Sequence, residues 1–312
     1  MPLNIPDHLP SIKILEEENI FLMKESIANS QDIRPLRIAI LNIMPTKIIT
    51  ETQLLRLLSN TPLQIEIDLL HTSTHTSRNT PEKHLNSFYK TFENVSQKKY
   101  DGMIITGAPV EHLKFEKVAY WNEISQIFNW AETQVTSTLF ICWAAQAALY
   151  HYYGIQKYNT KNKIFGVFDH NVINRKYPIV RGFDDVFQVP HSRNSDVTKK
   201  DILNEKKLEI LAESSESGVF LITSTDNRKL FATGHLEYDA ETLNNEYLRD
   251  FKHNAIVELP KNYFPNNNYQ AKPIVRWRSH ANLLFSNWLN YYVYQQTPYK
   301  LDDAKIKSQY LN

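Results

Sequence analysis

The run Thr138-Leu139-Phe140-Ile141-Cys142-Trp143-Ala144-Ala145-Gln146-Ala147-Ala148-Leu149 constrains this chain more than any other stretch. Its first half is apolar and β-favouring and ends at a cysteine, and its second half is alanine-rich and helix-favouring. A switch within one residue predicts a strand, an abrupt turn and a helix, with Cys142 in the bend. A residue held there lies at the carboxyl edge of a sheet, in front of a helix N-terminus. Such an end favours a thiolate, and a tight turn presents the sulfur to a substrate. The stretch alone also fits a blander role, a small hydrophobe buried at a strand end. Cys142 is the only cysteine, so no internal disulfide is available, and a reducing compartment fits.

The flanking sequence repeats the same alternation. Leu36–Ile43 reads as a near-continuously apolar strand, as expected where both sheet faces are covered. Pro45 breaks it, and Thr46 is placed to cap a helix turning Ile48, Ile49, Leu54, Leu55 and Leu58 toward the sheet. Ile65–Leu70 is a second strand, His71 to Thr80 a polar loop, and Pro81 suits the first turn of another helix. Tyr100–Ile105 is a strand running into the Gly107-Ala108-Pro109 turn. Trp121, Ile124, Ile127, Phe128 and Ala131 fall on one helical face. Strand and helix in alternation predict an α/β fold, a doubly wound, mostly parallel sheet with right-handed crossovers. Ligands then bind beyond the carboxyl ends of the strands, where the Gly107-Ala108-Pro109 turn and Cys142 both fall.

The second half is richer in strands, at Ile164–Phe168, Asp185–Val189, Leu208–Ala212, Val219–Thr223 and Lys229–Ala232. Short turns between several of them predict an antiparallel extension of the same sheet. A helix covers about Ala240 to His253, an aromatic, asparagine-rich loop follows from Tyr263 to Tyr269, and a helix from about His280 to Tyr294 closes the fold. The expected organisation is an N-terminal arm over residues 1–35, a single domain over 36–296 and a polar tail over 297–312. With 35 Lys and Arg against 34 Asp and Glu, charge suggests neither a nucleic-acid nor an anionic-membrane partner. No apolar run approaches the roughly 20 residues of a membrane helix. The first residues lack the layout of a signal peptide, and the expected location is cytoplasmic. The aromatics are compatible with a homodimer, although no stripe marks its interface.

Gly234-His235-Leu236-Glu237-Tyr238 follows the strand Lys229–Ala232. In extended backbone, residues two apart project to one side, so Glu237 can orient His235. A His so held is the usual partner of a nucleophilic thiol. The alternative is a surface His with Glu237 capping the next helix. Metal binding is weaker: His71 and His75 stand four apart in a predicted loop without further ligands, and no second Cys exists. No metal and no bound cofactor are expected.

A Cys at a strand-to-helix turn with a downstream Gly-His-x-Glu resembles the class I glutamine-amidotransferase-like fold. One branch is closer. Glu17-Glu18-Asn19-Ile20-Phe21, Ile33-Arg34-Pro35-Leu36-Arg37, Leu41-Asn42-Ile43-Met44-Pro45, Arg78-Asn79-Thr80-Pro81, Thr106-Gly107-Ala108-Pro109, Phe140-Ile141-Cys142-Trp143-Ala144, Arg181-Gly182-Phe183-Asp184-Asp185, Pro190-His191-Ser192-Arg193, Gly234-His235-Leu236-Glu237-Tyr238-Asp239 and Trp277-Arg278-Ser279-His280 together resemble the homoserine O-acyltransferase family of methionine biosynthesis. The resemblance spans almost the whole chain. It implies that Cys142 takes an acyl group from acyl-CoA as a thioester, that His235 accepts the proton and that Glu237 orients it. It further implies that Lys163, Ser192 and Arg249 bind L-homoserine, with Lys47 a further site residue. Without it, Arg249 reads as a solvated helix charge and Lys163 as a loop charge. The oxyanion needs fixed donors, and the backbone amides of Trp143 and Val110 are candidates.

Members of the family divide between succinyl-CoA and acetyl-CoA. The resemblance makes position 111 important, since succinyl users carry glycine where this chain has Glu111. A glutamate there fills space and sets negative charge against the free carboxylate of a succinyl group, while an acetyl group meets no such repulsion. Acetyl-CoA is therefore the expected co-substrate, with succinyl transfer as the alternative. A glutamine-hydrolysing or other cysteine hydrolase of the same fold is a second alternative. Against it, the Gly-x-Cys-x-Gly elbow of that group is replaced by Phe140 and Ala144 on either side of Cys142.

Overall fold

Alternate residues of the central strands face two separate apolar layers, and that alternation sets the architecture. Ile38 and Ile40 join one layer while Ala39 and Leu41 join the other; Leu139 and Ile141 likewise oppose Phe140. Both faces of these strands are covered, which is why their sequence is continuously apolar rather than alternating. A computed structural model of the chain describes residues 3–5, 8–18, 22–24, 34–74, 80–253 and 257–297. Asn19 to Phe21, Ile33, His75, Arg78, Asn79 and the tail after Thr297 lie outside them.

The described strands are β1 (Leu3–Ile5), β2 (Leu22–Lys24), β3 (Leu36–Leu41), β4 (Ile65–Leu70), β5 (Tyr89–Lys90), β6 (Tyr100–Ile105), β7 (Val135–Ile141), β8 (Lys157–Val172), β9 (Val186–Val197), β10 (Leu208–Ser214), β11 (Gly218–Ser224) and β12 (Lys229–Ala232). They form one sheet in the order β2-β1-β4-β3-β6-β7-β12-β11-β10-β8-β9, with β5 also on β4. Pairing is parallel from β2 through β12 and antiparallel from β12 through β9. The parallel half and the antiparallel extension are therefore as expected. The outer hairpin is longer than its apolar cores suggested, because β8 runs polar and half-exposed for much of its 16 residues.

Helices Lys47–Leu58 and Arg278–Asn287 cover one face, and Trp121–Gln134 and Trp143–Tyr153 the other. Two local expectations fail. Thr46 stands at the helix start without a side-chain capping bond; the Asn42 amide donates to the Lys47 carbonyl at 3.1 Å but caps no helix N–H. Ile49 is 51% exposed, because it faces the cleft described below rather than the sheet. Among the described residues, no helix is long and apolar enough to cross a membrane.

Candidate active site

Cys142 follows β7 directly, with φ 52° and ψ −113°. That left-handed conformation is costly for a residue with a side chain, and it turns the chain sharply from strand to helix. The Cys142 N–H still donates to the Ala232 carbonyl at 2.7 Å, so the strained residue is clamped to β12. Its carbonyl accepts from Gln146, which opens the helix. Gly107 lies over the bend, where an added Cβ would sit 3.2 Å from that of Cys142. Any larger residue there would crowd the sulfur.

β12 runs beside β7, so its C-terminal continuation arrives next to Cys142. His235 donates its backbone N–H to the Pro190 carbonyl at 2.8 Å. Its Nδ1 donates to Glu237 Oε1 at 2.6 Å, while the ring also hydrogen-bonds the Cys142 sulfur. With Nδ1 occupied, Nε2 is the atom that faces the thiol. The pairing of His235 and Glu237 is as foreseen, but its cause is different. They lie in a turn after β12 rather than in extended backbone, and Tyr238 N–H closes the turn on the His235 carbonyl. Burial alone would pull the imidazole down. The negative charges of Cys142 and Glu237, with hydrogen bonds to both, instead hold it well above its ordinary value.

Cys142 and His235 open on a cleft of about 1150 Å³. One wall is Met44 to Thr46 with Gly107 to Pro109; the other carries Lys163, Ser192, Glu246, Arg249 and Asp250. Lys163 Nζ lies 2.9 Å from Asp250 Oδ2, 3.8 Å from Glu246 Oε2 and 4.0 Å from the centre of the Phe165 ring. Ser192 Oγ donates to Glu246 Oε2. Arg249 Nε and Nη2 both reach Asp250 Oδ1, at 2.9 and 2.8 Å. Asp250 is disfavoured as an anion by burial, but Lys163 and Arg249 outweigh this and hold its carboxyl below the ordinary range. Two cations and two carboxylates on one wall complement a zwitterion.

Glu111 also lines the cleft; its Oε1 accepts from Asn194 Nδ2 at 3.0 Å and its carbonyl from Lys157 Nζ. Two expected site residues fall elsewhere. The Lys47 amine is buried behind Met44 and Pro45, donating to the carbonyls of Asn42 and Met44. Burial lowers it to about 8, partly offset by Glu51. It closes a loop rather than facing the cleft. The Val110 N–H donates to the Ala108 carbonyl at 2.9 Å, so its turn consumes the donor expected for an oxyanion. The Trp143 N–H begins a helix and has no acceptor within it.

Three residues of the site escaped the sequence reading. Glu246 stands three residues before Arg249 and four before Asp250, so it neighbours both on the helix surface, although the helix by itself reads as solvated. Tyr238 stacks on His235 with ring centroids 4.1 Å apart, a contact no spacing announces. Behind Gly234, His191 Nδ1 accepts from Arg193, and its Nε2 meets Nε2 of His170 at 3.1 Å. His170 Nδ1 donates to the Phe168 carbonyl. Both imidazoles are lowered by burial, His170 to about 3, and so are neutral members of a buried network. His75 lies outside the described residues, and among those described no group of three or more His, Cys, Asp and Glu side chains could hold a metal ion.

Solved glutamine amidotransferases share this fold. One from Thermotoga maritima aligns with TM-score 0.54 at 13% identity, covering 82% of this chain and 98% of that one. Another, from Methylobacillus flagellatus, aligns at 0.52 and 9%, covering 87% and 98%. Sequence relatives are far more similar. A protein named homoserine O-acetyltransferase from Bacteroides fragilis is 57% identical over 98% of this chain and all of its own length. One of the same name from Shouchella clausii is 58% identical over 97% of this chain and 98% of its own. The sequence model described as homoserine O-succinyltransferase matches residues 2–299, and the chain belongs to that family of homoserine acyltransferases.

Proposed function

We propose that this protein is a homoserine O-acetyltransferase working through a Cys142 thioester. The observation carrying this is the Cys142–His235–Glu237 line opening onto a wall of paired opposite charges. His235 draws the proton from the Cys142 thiol. The sulfur attacks the acetyl carbonyl of acetyl-CoA, the bond to the CoA sulfur breaks, and His235 gives its proton to the departing thiolate. The homoserine hydroxyl then passes its proton to the now neutral His235 and attacks the thioester. Collapse releases O-acetylhomoserine, and the proton taken up by His235 returns to the Cys142 sulfur. The amides of Trp143 and of the Gly107-Ala108 turn serve the oxyanion in both steps. Lys163 and Arg249 hold the acceptor's carboxylate, and Glu246, with Ser192 and Asp250 around it, its ammonium. We assign catalysis to one domain, residues 36–296, with 1–35 as an arm on it.

Acetyl rather than succinyl transfer follows from Glu111 on the cleft wall and from the names of the similar proteins. Mass spectrometry after incubation with acetyl-CoA or succinyl-CoA tests nucleophile and donor together. An acetyl-mass adduct is expected, absent from Cys142→Ala. Faster formation of O-succinylhomoserine than of O-acetylhomoserine would sink the acetyl assignment. In Glu111→Gly the ratio of succinyl to acetyl transfer rises at least tenfold, as expected when a like charge and its bulk leave a partly desolvated site.

A further inference from the structure

Tyr238 is buried at the foot of the cleft, and the chemistry above does not use it. Its ring lies face to face on the His235 imidazole, the planes 17° from parallel. Its hydroxyl donates to Glu246 Oε1 at 2.9 Å, while the other oxygen of that carboxylate takes Ser192. Its carbonyl accepts from Trp277 Nε1 at 2.9 Å, which ties the turn to the segment leading into the last helix. One side chain thus touches both the general base and the carboxylate facing the acceptor.

We infer that Tyr238 is a positioning residue with two separable tasks: its ring holds and stabilises the His235 imidazolium, and its hydroxyl aims Glu246 at the acceptor's ammonium. The negative face of an aromatic ring favours a cation stacked on it. The other groups facing His235 are the Cys142 sulfur, Glu237 of the same turn and, from β9, the neutral His191. None of them can replace a ring against the imidazole face. Burial and the neighbouring carboxylates also push the phenol far above its ordinary range, so the hydroxyl stays a donor.

The inference rests on the two-step transfer proposed above, and that scheme separates the tasks. Acylation of Cys142 needs His235 but no acceptor, whereas deacylation needs both. Tyr238→Phe keeps the ring and loses the donor. Its acylation rate, followed by quenched mass spectrometry with acetyl-CoA, stays within about twofold of wild type, while KM for homoserine rises about tenfold. Glu246→Gln, which leaves the stack untouched, shows the same split. Tyr238→Leu slows acylation about tenfold and moves the alkaline limb of its pH–rate profile at least about half a pH unit lower. Equal effects of Tyr238→Phe on acylation and on KM, or an unmoved limb in a folded Tyr238→Leu, overturn the inference. Should Tyr238→Leu not fold, the Phe and Gln variants still decide the hydroxyl's task. Failure of the wild-type protein to form the thioester would instead overturn the functional reading.

Discussion

Around the Cys142 sulfur, His235 titrates under opposing influences: burial lowers it, and the charges of Cys142 and Glu237 more than compensate. Because the folded imidazole holds its proton more tightly than an unfolded one, its interactions stabilise the fold fully below the ordinary histidine range. They are lost as pH rises through the raised value. The same sign governs catalysis, since acylation needs the imidazolium as acid for the leaving CoA thiolate. In Glu237→Gln one of the two raising charges is gone, so the alkaline limb of the acylation profile moves to lower pH. The rate falls about a hundredfold or more as the imidazole loses its orienter. Stopped-flow release of free CoA across pH measures both. An unmoved limb would show that Glu237 does not act on His235. Residue type and spacing left the roles of Cys142, His235 and Glu237 open, and the family resemblance supplied them. Spacing does not reveal that the Lys47 amine and the Val110 N–H are already spent on nearby carbonyls.

Gly234 shows how elements set the site. An added Cβ would fall 2.6 Å from Val189 Cγ1 and 2.7 Å from His191 Cε1, both on β9. The turn bearing His235 therefore lies against β9 only because position 234 has no side chain. Gly234→Ala is expected to displace His235 from Cys142, lowering kcat by at least tenfold, and to destabilise the fold by about 1–3 kcal/mol through overpacking. Chemical denaturation with single-turnover kinetics tests the pair of effects; a fully active, equally stable variant would refute it. The β9 neighbours were invisible beforehand because β8, β10 and β11 stand between β9 and β12 in the sheet order, so local sequence does not announce that the His235 N–H meets the Pro190 carbonyl of β9.

At the scale of the molecule, buried Glu51 ties four regions together. Its carboxylate accepts from Ser11 at 3.0 Å, His84 at 3.1 Å and Tyr89 at 2.9 Å, and Tyr89 in turn accepts from Asn42 at the end of β3. Burial raises its pKa despite these donors. Glu51→Ala strands three buried donors and should cost about 3 kcal/mol, whereas Glu51→Gln, which can still pair with them, costs about 1 kcal/mol. Equal losses in denaturant melts would contradict this account.

Local periodicity by itself determined the parallel core, the antiparallel half and the strand–turn–helix at Cys142, because apolar spacing and residue propensity are written within a few residues of where they act. It also placed His235 two residues from its orienter. Only the tertiary structure decided which charges face the cleft, which amides remain unpaired, and that Tyr238 lies on the imidazole. Those outcomes depend on strands distant in sequence pairing side by side, and burial makes each such contact matter through the loss of competing water.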